Sequence, residues 1–218
     1  MKRAERHHLQ QDEVRTGLNW FIHLYETWQR EILIGAGIAA FAALIFAALF
    51  LVRSHAQNVQ SRAIGEVVSL SQDLPTKPEN VAKLEALAVK GPAARLACLE
   101  LAGYWTGKGD YGKAESFLGR FPAAPKDLLY YQAEDLKAQT FVRKKDYAKA
   151  AAIYQKIRDE KPKAYPLDAV LFHLAEVYEL QGQKKEALDL YTKLQAEYSQ
   201  TYYGYEASMK ASRLALQK

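Results

Sequence analysis

The amino-acid sequence predicts an all-α protein, with a single N-terminal transmembrane helix followed by an α-solenoid of helical hairpins. Three observations carry this expectation. The run Ile32 to Val52, ILIGAGIAAFAALIFAALFLV, is uncharged throughout. Beyond it, apolar residues recur at helical spacing, and prolines at 75, 78, 92, 122, 125, 162 and 166 punctuate the pattern. Within that region one ten-residue motif returns three times in register.

A helix rises about 1.5 Å per residue, so residues 32–52 match the roughly 30 Å hydrocarbon core of a bilayer. Lipid cannot satisfy open backbone hydrogen bonds, which makes an α-helix the expected conformation. A cleavable signal peptide is the rival reading, and Ser54-His55-Ala56 resembles a small-x-small cleavage site. The run exceeds the roughly 7–15 residues of a signal h-region, and its leader is too long. An uncleaved anchor is the expectation. Gly35, Ala39, Ala43 and Ala47 fall four apart on one face, where small side chains let a second helix approach. An alanine-rich span also gives such stripes by chance.

Residues 1–31 form a tail with its own pattern. Leu18, Phe21, Ile22, Tyr25 and Trp28 recur at helical spacing among charged residues, the mark of an amphipathic interfacial helix or of an anchor flank. Lys2, Arg3, Arg6, Arg15 and Arg30 precede the span, and only Arg53 and Arg62 follow before Lys77. The positive-inside rule therefore favours a cytoplasmic N-terminus and an exported C-terminal domain. Next to the span the bias is flat.

Residues 53–93 read as a divergent hairpin: Gln57 to Leu74 continues from the span, and Asn80 to Val89 follows the Pro75–Pro78 break. Regular repeats then occupy 94–218. Gly109-Asp110-Tyr111-Gly112-Lys113-Ala114 has counterparts in Lys145-Asp146-Tyr147-Ala148-Lys149-Ala150 and Gly182-Gln183-Lys184-Lys185-Glu186-Ala187. Twelve residues before each final alanine stands another, Ala102, Ala138 and Ala175. Nine before stands an aromatic, Trp105, Phe141 and Tyr178; four after stands a large residue, Leu118, Tyr154 and Tyr191.

Intervals of 36 and 37 residues, with small residues where two helices cross, are the marks of the tetratricopeptide repeat. Its unit is a helix–turn–helix of near 34 residues. The expected units are 95–128, 131–164 and 168–201. Gly109 and Gly182 suit the inter-helix turn, and Pro162 closes the helix that begins near Tyr147. Tyr202 to Leu216 reads as a capping helix, with polar Lys210, Ser212 and Gln217 offsetting Ala207, Met209 and Leu214. Solubility demands a polar outer face at a terminal repeat.

The chemistry-bearing residues do not converge. The five histidines are scattered, and no HExxH, GxSxG or P-loop occurs. His173 reads as packed or on a rim, and Cys98 as a small core residue. The chain is not expected to be an enzyme or to carry a cofactor, metal or small-molecule substrate. The formal charge of +5 comes from interspersed acids and bases, not the single-sign stripe that nucleic acid wants. The first helix of each unit lines the concave face of such a solenoid. Groove candidates are therefore Leu99 and Thr106, then Gln132, Asp135, Gln139 and Arg143, then Phe172, Glu176 and Glu179. Mixed polar and aromatic groups suit a partner's peptide or helix.

An amphipathic tail, one span, a divergent hairpin and these repeats together resemble the YfgM-like ancillary subunits of the SecYEG translocon. The resemblance rests on Ala97-Cys98-Leu99-Glu100-Leu101-Ala102 with Gly109 to Ala114, and on Tyr198 to Ala207, a last-repeat pattern shared with envelope proteins of outer-membrane assembly and cell division. It covers most of the chain. The Asn19-Trp20-Phe21 preamble and the basic balance depart from the family. The resemblance implies a single-pass protein of the bacterial inner membrane with a periplasmic domain that contacts the SecYEG translocon and periplasmic chaperones. The alternative is a structural subunit of a multisubunit envelope complex without clients of its own.

Overall fold

The structure, a computed structural model, describes the backbone of residues 3–216 and the side-chain surroundings of residues 30, 31 and 33–216. The side chains of the aromatic tail before Arg30 lie outside the described residues, as does Gln217. Among the described residues all regular structure is helical: α1 (Arg3–Gln72), α2 (Asn80–Val89), α3 (Ala94–Lys108), α4 (Tyr111–Gly119), α5 (Leu128–Arg143), α6 (Tyr147–Glu160), α7 (Leu167–Leu180), α8 (Lys184–Glu197) and α9 (Tyr202–Leu216). The chain forms two compact units, Met1–Val59 and Gln60–Lys218.

In the first unit the helix is continuous through the uncharged run, and the side chains from Leu33 to Arg53 are exposed. The stretch is long and apolar enough to cross a membrane. Gly35, Ala39, Ala43 and Ala47 all lie in this exposed segment, and nothing stands within 4 Å of a Cβ built on Gly35.

The second unit is a stack of hairpins. The end of α1 packs Val67 and Leu70 with Leu84 of α2 and with Ala97, Leu101 and Ala102 of α3. Then α3/α4, α5/α6 and α7/α8 follow as pairs, and α9 packs on α8 and α7. The repeated turn explains the repeated sequence. Gly109 and Gly182 take left-handed φ of 79° and 77°, a region that costs L-residues with a Cβ but not glycine. In the middle hairpin Lys145 takes the same conformation at φ 62°. Each turn closes with the same bond. The Asp110, Asp146 and Gln183 amides donate to the carbonyls of Trp105, Phe141 and Tyr178 at 3.0, 2.9 and 2.9 Å. This is a Schellman-type closure of the first helix. Asp110 and Asp146 then cap the second helix, accepting from the Lys113 and Lys149 amides at 3.1 and 3.4 Å.

The small residues sit where two helices touch. Ala102, Ala114, Ala138, Ala150, Ala175 and Ala187 are all fully buried, and Tyr154 and Tyr191 fill the space beside them. Helix α5 begins at Leu128, ahead of the expected start at 131, because Asp127 caps it by accepting from the Tyr130 amide at 3.1 Å. The reading of α9 as a polar-faced cap needs correction. Ala207 and Leu214 are buried, but the outward side chains include Tyr202, Tyr205, Met209 and Leu216, while Lys210 turns inward to α7.

Candidate partner-binding groove

A cavity of about 590 Å³ opens between the first helices of the last two hairpins and α9, a size in the range of ligand and peptide sites. Helix α5 supplies Gln139, Val142 and Arg143. Helix α6 supplies Tyr154 at the floor. Helix α7 supplies His173, Glu176, Val177, Glu179 and Leu180, and α9 supplies Lys210.

One wall is an ion-pair network. Lys210 Nζ lies 3.2 Å from Glu176 and 3.3 Å from Glu179, and Arg213 Nη2 reaches Glu179 at 2.7 Å. Tyr191 donates its hydroxyl proton to Glu179 at 3.1 Å. His173 Nδ1 approaches Glu176 at 3.4 Å, and its ring stacks on Tyr154 with centroids 5.8 Å apart. Burial pushes the Glu176 carboxyl up, but the hydrogen bond from His173 and the Lys210 ammonium outweigh it and hold the group below the usual carboxylate range. The network ties α9 to α7 and neutralises both glutamates. The opposite wall differs. Gln139 and Arg143 are exposed, and Arg143 has no ion pair among the described residues. Val142 of α5 and Leu180 of α7, about half exposed, add apolar surface to the cavity. The groove therefore offers a cation, an amide and an apolar ledge facing a neutralised wall.

The expected groove residues separate into three groups. Gln139, Arg143, Glu176 and Glu179 meet in the cavity. Leu99 and Gln132 are half-buried and lie outside it. Thr106, Asp135 and Phe172 serve the interior. Thr106 is buried and pairs with Thr140 at 2.9 Å between hydroxyls. Phe172 is buried against Tyr191 and Tyr203, with centroids 5.7 and 5.3 Å away. Asp135 accepts the hydroxyl protons of Tyr154 at 2.8 Å and Tyr165 at 2.7 Å, and a Gln139 amide proton at 3.1 Å. Burial and the Asp135 charge push both phenols upward.

Tyr154 and Lys210 join the groove without having been expected there. Tyr154 has the spacing of a packing residue and serves as both. Lys210 carries no local signal, since its partners lie 31 and 34 residues earlier in the chain. Cys98 is buried, its Sγ 3.6 Å from the Ala88 carbonyl oxygen, and burial raises its pKa. Among the described residues no cluster of three or more His, Cys, Asp or Glu is placed to hold a metal.

The tetratricopeptide-repeat family model matches residues 169–201, which hold nearly all of α7 together with α8. No curated protein and no solved structure matches the chain. The match falls on the hairpin that supplies half of the groove's lining residues. The chain thus contains a tetratricopeptide repeat within an all-α solenoid, a fold whose role is to present a concave surface to other proteins.

Proposed function

We propose that this chain is a membrane-anchored tetratricopeptide scaffold of the bacterial envelope. On this reading residues 1–31 lie on the cytoplasmic side, residues 32–52 cross the inner membrane, and residues 53–218 work in the periplasm. The groove takes a peptide or helix of a protein partner, in keeping with the translocon and periplasmic chaperones that the resemblance implies. The observation that carries the reading is the asymmetric groove. Its glutamates are already neutralised from within, and Arg143 stands open in a cavity that Val142 and Leu180 also line. A partner segment with an apolar anchor and an acidic side chain near Arg143 fits that surface. The exposed apolar stretch from Leu33 onward supports the anchor.

The test has two stages. A reporter active only outside the cytoplasm, fused after Lys218, is expected to be active; silence alongside an active cytoplasmic reporter overturns the periplasmic placement. Photo-crosslinkers at Gln139 and Arg143 are then expected to capture a discrete envelope protein, with loss of the product on Arg143→Glu. Capture that is indifferent to that reversal removes the groove from the reading.

A further inference from the structure

The exposed side of α9 corresponds to a seat that the preceding hairpins fill. In α7, Val170, Leu174 and Val177 face back into the core shared with α6. Thirty-seven residues on, Ala207, Ala211 and Leu214 of α9 face back into the core shared with α8. The register between the two helices is thereby fixed. On the other side of α7, Phe172 and Ala175 are 6% and 0% exposed because α8 covers them. Their counterparts 37 residues on are Met209 and Ser212. Met209 is 57% exposed, and none of the described helices covers it. Tyr202, Tyr205 and Leu216 extend the same row at intervals of three, four and seven residues, the spacing of a helix–helix seam. So α9 stands in the register of a first helix, and among the described residues no second helix covers its outer face.

The charges bordering this row select its occupant. Glu206 has no ion-pair partner among the described residues, and Arg213, although bonded to Glu179, keeps half its side chain exposed. Two copies of α9 laid antiparallel bring Glu206 of each against Arg213 of the other, and Tyr205 against Leu216. Parallel copies would leave Glu206 and Arg213 on opposite sides of the seam, without this pairing. The geometry points to an isologous, antiparallel α9–α9 contact between two copies of this chain, each copy occupying the open seat of the other.

The test uses the full-length chain in mild detergent under air oxidation. Met209→Cys, near the two-fold axis, is expected to form a disulfide-linked dimer, and Glu186→Cys on exposed α8 is not. Glu206→Lys in the Met209→Cys background is expected to cut the dimer yield about fivefold, as two weak surface ion pairs turn repulsive. A Met209→Cys yield no higher than the Glu186→Cys control overturns the proposal and leaves the seat to a helix of another protein. A dimer whose yield ignores the Glu206→Lys reversal overturns the antiparallel pairing.

Discussion

Asp135 anchors the middle of the solenoid, and its removal gives the sharpest test of this structure. In Asp135→Ala the Tyr154 hydroxyl, on a side chain 1% exposed, loses its acceptor. A buried donor left without a partner costs about 1–3 kcal/mol, and bonds to a charged acceptor fall at the upper end. Tyr165 is half-buried, so water replaces part of its bond. Together these give about 3 kcal/mol. For a domain of this size that is a fall in Tm of about 6–12 °C. Asp135→Asn keeps one acceptor oxygen and an amide that can donate to the other phenol, so its cost is about 1 kcal/mol.

The full chain in detergent, melted while near-UV circular dichroism reads the tyrosine packing, measures these shifts. Tyr154→Phe completes a double-mutant cycle. Once Asp135 is gone the Tyr154 hydroxyl is a liability, so the double variant is expected to be more stable than the sum of the single losses by about 1–2 kcal/mol. Additivity within about 0.5 kcal/mol refutes the buried bond, and with it the assignment of Asp135 to the interior.

Further expectations concern other positions. A Cβ on Gly204 would lie 1.9 Å from the Tyr198 carbonyl oxygen, which cannot move aside, so Gly204→Ala is expected to cost about 3 kcal/mol or more by the same melt; Gly107→Ala, in a helix with nothing within 4 Å, is expected to gain about 0.5–1 kcal/mol. Thr140 donates to the Leu136 carbonyl at 2.7 Å, so Thr106 must be the donor in the buried hydroxyl pair. Thr140→Val, which strands Thr106, is therefore expected to cost about 1–2 kcal/mol and more than Thr106→Val. Arg95 donates both arms of its guanidinium to Asp127 at 2.7 and 2.6 Å and holds that carboxyl down to about 2. A depressed folded pKa gives stability present above the unfolded value and lost below it. The advantage of the native chain over Asp127→Asn, about 1 kcal/mol after discounting for partial exposure, is expected to hold above pH ~5 and to vanish as pH falls from about 4 towards 2 in a pH series of melts.

The repeat and its turns were legible because they depend on residues a few positions apart. Gly109 and Gly182 mark left-handed turns, and paired alanines at a spacing of twelve mark a helix crossing. Lys145 shows that the turn survives without glycine, because the rest of the motif, Asp146 and Ala150, still directs it. Faces were harder to read. Spacing places Thr106, Asp135 and Phe172 on first helices, but which side of such a helix is open depends on where the next hairpin lies. Phe172 turns under α8 and Asp135 towards Tyr154 and Tyr165, so polarity and aromaticity alone misassigned both. Lys210 was illegible for a related reason: its partners are a whole repeat away.

That distance is itself informative. Bonds between side chains 31 to 34 residues apart recur along the stack: Arg95 to Asp127, Thr106 to Thr140, Lys126 to Glu160, and Glu179 to Lys210 and Arg213. Each spans about one repeat: the Arg95, Thr106 and Glu179 bonds tie one hairpin to the next, while Lys126, just ahead of α5, reaches the end of α6. A directional bond at each junction fixes the angle at which the next first helix presents its concave side. The groove inherits its geometry from two sets of bonds. Asp135 of α5 holds Tyr154 of α6 and Tyr165 in the loop before α7, and Glu179 with Lys210 and Arg213 sets the α9 wall against α7. Because these bonds neutralise one wall from within, the charge left for a partner to read is on the α5 side, at Arg143.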